Sequence, residues 1–189
     1  MGAAPAPKYT VEDYLRIDRE AELKSEFYDG EMFPIAGVSW EHAVIAANAG
    51  ARLNNQLVDT NCTVAISPIR VRVTGTKFLY PDIAIVCGRP ALTDEQVDTI
   101  TNPKVLVEVL SPSTSDFDYG GKFMFYRLLP SFEEYVLISQ TEQKAEVFQK
   151  AGDGTWILRT IAGPNATLAV RSLGIEFPLA ELYRGLEIV

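Results

Sequence analysis

The stretch Lys104–Leu110, KVLVEVL, decides the fold because it is short and almost entirely apolar. Such a run is typical of a central strand that is covered on both faces. Because strand side chains alternate, the three valines share one face and Glu108 lies on the other, between two leucines. An ionised Glu108 in that place is costly unless it is paired or binds a metal. The alternative is that Glu108 sits at a strand end, where it turns to solvent or meets an arginine.

A second carboxylate precedes the neighbouring apolar run. The segment 81–86 reads PDIAIV, and its Pro81 is tolerated at the first position of a strand. If this strand pairs with the first, Asp82 and Glu108 converge on one divalent ion. Mg²⁺ suits ligands that are all oxygen, and it keeps several waters. The alternative is that Asp82 is an ordinary turn residue.

A lysine follows the central strand. The segment Phe117–Leu129 is predicted to be helical and to stop at Pro130. Lys122 and Tyr126 share one face of it, and Lys122 can reach back over the strand ends toward the metal. A metal ion and an ammonium both stabilise the charge that develops on a phosphodiester during hydrolysis. The alternative is a solvated surface lysine.

The remaining elements predict an α/β or α+β architecture around a mixed sheet. Thr10 and Asp13 indicate the start of a helix, and Ser39 is a good N-cap for a longer one. The predicted elements are a helix over Val11 to about Asp18, a hairpin turning at Tyr28–Glu31, a helix over Trp40–Val58, strands over Thr63–Val73, Tyr80–Cys87, Glu134–Ile138, Ala145–Gln149 and Thr155–Ile161, and a short helix over Leu179–Tyr183.

Composition indicates a globular protein. Of the 189 residues, 47% are hydrophobic and 22% charged. Residues 1–8 are expected to be a disordered leader before a single domain over 9–189. No run is long and apolar enough for a bilayer span and the start lacks a signal peptide, so we expect no membrane partner and a cytoplasmic location. Cys62 and Cys87 are expected to be buried free thiols.

The formal net charge of −8 argues against a protein that coats nucleic acid without specificity. It does not exclude a nuclease, because a cleft can differ from the exterior. A serine or cysteine hydrolase is disfavoured, since Gly-x-Ser-x-Gly is absent and His42 is the only histidine. No P-loop is present.

At these residues the chain resembles the Uma-two family, which is classed with restriction endonucleases in the PD-(D/E)XK nuclease superfamily. The matching pieces follow the family order from about Tyr9 to Tyr183. They are Tyr9–Leu15, Glu26–Glu31, His42, Pro81–Ile83, Glu108–Ser113, Lys122 with Tyr126, and Glu134–Leu137.

The resemblance implies a restriction-endonuclease-like fold, in which helices flank a mixed sheet and the site lies at one sheet end, with additional antiparallel strands. It implies that Asp82 and Glu108 bind the metal. The superfamily's usual lysine lies two positions after the second acidic residue, and here that position is Leu110. The family places the lysine on the following helix instead, which matches Lys122.

Other positions form a second tier. Glu26 matches the acidic residue before the family's Asp-Gly turn and is expected to contact the metal or its ligands, or to be solvated. His42 is expected to contact phosphate or orient a water, or only to pack or cap its helix. Tyr126 accompanies Lys122. Arg70 and Arg72 are expected to face DNA phosphates or water.

These features lead us to expect an endonuclease that hydrolyses DNA with Mg²⁺ or Mn²⁺. The superfamily commonly cuts both strands with two protomers, so the resemblance implies a homodimer. The alternative is a catalytically inactive dimer of the same fold that acts as a binding or interaction protein. The acidic net charge favours that alternative.

Overall fold

The computed structural model describes residues 8–35, 37–66, 68–93, 96–112 and 114–188. The strands are β1 (Ser25–Tyr28), β2 (Glu31–Pro34), β3 (Cys62–Ile66), β4 (Arg70–Thr74), β5 (Lys77–Leu79), β6 (Ile83–Cys87), β7 (Thr99–Ile100), β8 (Val105–Leu110), β9 (Glu134–Ser139), β10 (Lys144–Lys150), β11 (Trp156–Ala162), β12 (Thr167–Val170) and β13 (Ile175–Pro178). The helices are α1 (Val11–Glu20), α2 (Trp40–Leu57), α3 (Ser115–Phe117) and α4 (Phe123–Tyr126), with a π-helical turn at Asp118–Lys122 between the last two and 3-10 turns at Arg171–Leu173 and Leu179–Tyr183.

A six-stranded mixed sheet forms the centre, in the order β11-β10-β9-β8-β6-β3. Strand β8 is antiparallel to β6 and parallel to β9. Its valine face packs on Ile45 and Leu53 of α2, and its other face packs on Tyr126 and Tyr135. The prediction of a central strand with both faces covered is therefore confirmed, and so is the α/β (α+β) architecture of a mixed sheet with flanking helices.

A second sheet has five strands, in the order β2-β1-β5-β4-β7. The chain passes from strand β5 of this sheet into β6 of the central sheet. Its β1–β2 hairpin turns at Asp29 and Gly30, whose φ angles of 54° and 93° suit the predicted Asp-Gly turn. The predicted single strand Thr63–Val73 is wrong, because β3 and β4 belong to different sheets. Pro68 lies between them and cannot donate a ladder hydrogen bond.

Helix α1 is joined to the second sheet by a buried ion pair. The predicted capping box of Thr10 and Asp13 is present. Arg70 Nη2 lies 2.6 Å from Asp18 Oδ2, and the two side chains are only 2% and 0% exposed. Arg70 Nη1 also lies 3.1 Å from Asp98 Oδ1. The expectation that Arg70 faces DNA or solvent is therefore wrong, because its strand face is covered by α1.

The two cysteines form a disulfide, so the prediction of free thiols is wrong. Cys62 and Cys87 are directly opposite partners in the antiparallel pair of β3 and β6, with their Cα atoms 3.9 Å apart. Their separation in sequence gives no indication of this pairing. No helix in the described part of the chain has the length and apolarity that a bilayer crossing requires. The predicted leader lies almost entirely outside the described residues, and the domain limits stay a prediction.

We expect Arg70→Met to lower the free energy of unfolding by about 3–5 kcal/mol, because it leaves Asp18 charged and buried without its cation. Urea denaturation followed by circular dichroism measures the change. The control is Arg16→Met, which removes an exposed pair with Asp13, and it should cost less than about 1 kcal/mol. Equal losses in the two variants would contradict the assigned importance of the buried pair.

Candidate functional site

The sheet brings Asp82 and Glu108 together at one end. Asp82 directly precedes β6, and the register pairs Ile83 with Val107, so Glu108 lies next to Asp82 across the two strands. Asp82 Oδ2 accepts a hydrogen bond of 2.7 Å from the Val109 backbone N–H. The Asp82 backbone N–H donates to Glu108 Oε2 at 3.4 Å. The two carboxylates are therefore held side by side by strand pairing, and Glu108 is 3% exposed.

Lys122 reaches this pair from the π-helical turn. Its Nζ lies 3.1 Å from Glu108 Oε1, 3.2 Å from Glu26 Oε1 and 3.1 Å from Asp118 Oδ1. Of the three carboxylates, Glu108 accepts a hydrogen bond from the ammonium, while Glu26 and Asp118 lie within ion-pair distance of it. Asp118 and Lys122 lie on the same side of the π-helical turn and contact each other. Such turns are frequent at functional sites.

Each member of the predicted second tier also lies here. Glu26 contacts Lys122 from β1 of the second sheet. The Tyr126 hydroxyl donates to Glu108 Oε1 at 3.3 Å. His42 Nε2 lies 3.0 Å from Asp82 Oδ1, at the start of α2, where Ser39 caps the helix by accepting from the His42 backbone N–H. The structure places these side chains together, while their chemical roles stay predictions.

Asp118 was missed by the sequence analysis. It is 2% exposed and lies one helical turn before Lys122, which it contacts. The spacing of four residues between a carboxylate and a lysine on a predicted helix could have revealed it. Its position inside the pocket could not have been inferred, because that depends on how the π turn rotates the helix.

The cluster holds more negative charge than positive. Burial raises the pKa of Glu108 well above its ordinary value, and Asp82, Asp118 and Glu26 add to this effect while Lys122 opposes it. Burial also raises the pKa of Glu26, against the opposing effect of Lys122. Burial disfavours the charge of Lys122, yet its three carboxylate partners raise its pKa well above the ordinary value. The surplus of carboxylates thus favours bound protons on Glu108 and Glu26, or a cation in their place.

The donor chemistry of the pair fits a magnesium-like ion. Asp82 and Glu108 offer only oxygen, and Mg²⁺ is commonly bound by one or two carboxylates with waters filling its other positions. Within the described residues, no group of three or more histidine, cysteine, aspartate or glutamate side chains is arranged as a metal site by itself. Asp82 and Glu108 would therefore supply only part of the coordination of such an ion, and water or substrate would have to supply the rest.

The cluster forms one wall of a cavity of about 520 Å³. This volume lies within the range of about 300–1,000 Å³ that is usual for ligand sites. Another part of the lining is apolar, and its residues are Tyr28, Phe33, Pro34, Ile35, Gly37, Val38 and Phe117. One cavity therefore combines a charged wall with an aromatic one.

Comparison with known proteins gives consistent results. The Uma2 family model, described as "Putative restriction endonuclease", matches residues 11–180. Two proteins of Synechocystis sp. (strain PCC 6803) are similar over nearly their whole length. Uncharacterized protein sll1609 is 36% identical over 169 residues, which is 89% of this chain and 96% of that protein. Uncharacterized protein slr1290 is 32% identical over 185 residues, which is 97% of this chain and 96% of that protein.

A solved structure confirms the fold. It is titled as the crystal structure of "a putative nuclease belonging to DUF820" from Anabaena variabilis ATCC 29413. It matches with a TM-score of 0.76 at 18% sequence identity, covering 92% of this chain and 97% of that one. The expected restriction-endonuclease-like architecture is thereby confirmed.

The raised pKa of Glu108 leads to a prediction for metal-free protein. Stability that depends on its bound proton is present below the unfolded pKa and is lost as pH rises through the folded pKa. Glu108→Gln removes this titration. We therefore expect the variant to gain stability relative to wild type as pH rises above the ordinary pKa of a glutamate, as measured by urea unfolding at a series of pH values.

Glu22→Gln, which changes an exposed carboxylate after α1, is the control and should keep a constant offset from wild type. A constant offset for Glu108→Gln as well would contradict the raised pKa.

Proposed function

The chain belongs to the Uma2 family, and from this premise we propose that it is a metal-dependent endonuclease that hydrolyses phosphodiester bonds of DNA. Asp82 and Glu108 bind Mg²⁺ or Mn²⁺, and Lys122 acts on the attacking water and the phosphate. The observation that carries the proposal is the meeting of these three side chains in one pocket, although they come from three separate elements.

The charge balance of the pocket supports the need for a cation. A phosphodiester that enters beside Glu26, Asp82, Glu108 and Asp118 meets several carboxylates and only one lysine. Like charges in a poorly solvated pocket repel strongly. A divalent ion held by Asp82 and Glu108 would offset much of this negative charge, so that a phosphate could approach.

The chain's own residues then have distinct tasks. When bound, the metal acidifies a water and stabilises negative charge on the phosphate oxygens. Lys122 donates toward the charge that develops on the phosphate, and Glu26 and Asp118 hold its ammonium group in place. Tyr126 fixes one oxygen of Glu108, and His42 fixes one oxygen of Asp82.

Glu108 contacts the ammonium of Lys122 and is also a proposed metal ligand. The Lys122 Nζ donates a hydrogen bond to Glu108 Oε1. If Glu108 held a cation instead, this donor of Lys122 would become available to substrate. We therefore expect that metal binding would prepare the lysine as well as the water.

A catalytically inactive nuclease-fold protein is the second candidate. The contact of Lys122 with three carboxylates favours it, because a lysine that serves only to neutralise buried carboxylates would have this arrangement. In this case the pocket is structural, and the chain acts by binding a partner. Metal binding discriminates between the two candidates.

Two further expectations accompany the proposal. A homodimer follows from the way related nucleases cut both strands, and light scattering after gel filtration measures it. A cytoplasmic location stays a prediction. The Cys62–Cys87 disulfide bears on it, because thiols are mostly kept reduced in that compartment.

The first prediction for activity concerns plasmid cleavage with Mg²⁺ or Mn²⁺. We expect Asp82→Asn and Lys122→Met each to lower the cleavage rate by about 100-fold or more, because each removes charge stabilisation of the transition state. Lys150→Met is the control, since β10 carries Lys150 next to the opposite end of the sheet, and it should cleave as wild type does. Cleavage that survives both site substitutions would refute the assignment.

Calorimetry tests the metal directly. We expect wild type to bind Mg²⁺ or Mn²⁺ with release of protons, because the raised pKa of Glu108 means that metal displaces a bound proton. The heat should therefore depend on the ionisation enthalpy of the buffer. Asp82→Asn should weaken binding about tenfold or more. A stable protein that shows no heat with either ion would favour the inactive candidate.

A further inference from the structure

The apolar wall of the cavity is built by the hairpin that also supplies Glu26. Glu26 and Tyr28 alternate onto the same face of β1, and Phe33 of β2 is the direct partner of Glu26. All three line the cavity. Cβ atoms of directly opposite residues in an antiparallel pair lie about 5 Å apart. Phe33 is therefore the immediate cross-strand neighbour of Glu26, whose carboxylate contacts Lys122. An aromatic ring is thus positioned beside the charged cluster.

The ring of Phe33 ends an aromatic stack. Tyr28 and Phe33 are stacked with centroids 4.0 Å apart and an interplanar angle of 7°. Behind Tyr28 lie Phe117 and Phe125, with centroids at 5.6 and 5.5 Å. A Cβ at Gly121 would come within 2.3 Å of the Phe117 ring, so this glycine permits the packing. Among the described residues Tyr28 is the one aromatic ring stacked on Phe33, and Phe33 also lines the cavity, so part of its ring borders that space.

The surroundings of Phe33 select the kind of molecule that fits. Pro34, Ile35 and Val38 extend the apolar wall, and Val38 is 59% exposed. Gln140 adds a side-chain amide to the same cavity. A flat, apolar platform with one polar group beside it suits a nucleobase, because every base has a face that stacks on an aromatic ring. A base inside a duplex is already stacked on both sides and cannot use such a platform unless it leaves the helix.

We propose that Phe33, backed by Tyr28, is a stacking platform for one unpaired nucleobase next to the phosphate at Lys122. The preferred substrate is then single-stranded DNA or a duplex that carries an unpaired base. This inference rests on the proposed function for the position of the phosphate. It is tested by binding as well as by cleavage, so that the two can fail separately.

The binding experiment compares two fluorescently labelled strands of equal length in the presence of Ca²⁺. One is oligothymidylate of about twelve nucleotides, and the other is the same backbone without bases. Fluorescence anisotropy should show that wild type prefers the strand with bases by about tenfold or more, a range that follows from the cost of losing one stacked base.

Variants locate the platform. Phe33→Leu keeps an apolar side chain but removes the ring, so it should abolish most of the preference, and Phe33→Tyr should restore it. Trp40→Leu removes a ring that is 72% exposed and does not line the cavity, so it should keep the preference. Thermal melts followed by circular dichroism confirm folding. If Phe33→Leu does not fold, the wild-type comparison of the two strands and Phe33→Tyr still decide the outcome.

Three results would overturn the proposal: equal affinity of wild type for the two strands, an unchanged preference in folded Phe33→Leu, or loss of the preference in Trp40→Leu alone. Cleavage separates the two hypotheses. If the protein cuts no DNA but shows the Phe33-dependent preference, the stacking platform is supported and the nuclease proposal is refuted. If the protein cuts paired and unpaired DNA equally, without dependence on Phe33, the nuclease proposal is supported and the stacking platform is refuted.

Discussion

The contact of Glu108 with Lys122 is the interaction on which the site depends. A carboxylate in the middle of a buried sheet is unfavourable unless a cation compensates it, and the ammonium of Lys122 lies 3.1 Å away. The pairing fixes the end of β8 against the turn that follows it. Because Glu26 and Asp118 share the same ammonium, this contact also joins the second sheet to the central one. The pocket and the junction of the two sheets are thus formed by the same side chains.

The surrounding structure restricts how this cluster can move. Tyr80 links it to the buried pair under α1, because its hydroxyl donates to Asp18 at 2.5 Å while its backbone N–H donates to Glu26 at 3.4 Å. Burial and the hydrogen bond to Asp18 raise the pKa of Tyr80, so the phenol stays protonated and keeps donating. Arg70 then compensates Asp18. A chain of hydrogen bonds therefore runs from the first helix to the site.

Much of the central sheet could be predicted from sequence, because an apolar strand that contains one glutamate has few explanations. The convergence of Asp82 with Glu108 followed once the two strands were assumed to pair. Arg70 and the two cysteines were misjudged for the same physical reason. Alternation along a strand tells which side chains share a face, but not what covers that face or which strand lies opposite. The spacing of Asp118 from Lys122 was readable from the sequence, but its burial in the pocket was not, because that depends on how the π turn orients the helix.

The stability of the fold does not by itself require this cluster of buried charged groups. Three carboxylates contact one buried ammonium, with Asp82 beside Glu108, so acidic groups outnumber cations, and an apolar replacement of such groups is often neutral or stabilising. The same surplus would become favourable if the proposed cation and phosphate entered together, since each would compensate the charge of the other. The acidic net charge of the chain does not oppose the binding of a phosphate in this pocket. Charges a few ångströms away dominate the attraction in a cavity, because salt screens the effect of distant charges. An excess of buried carboxylates beside an aromatic wall is therefore better explained by a bound state than by folding alone.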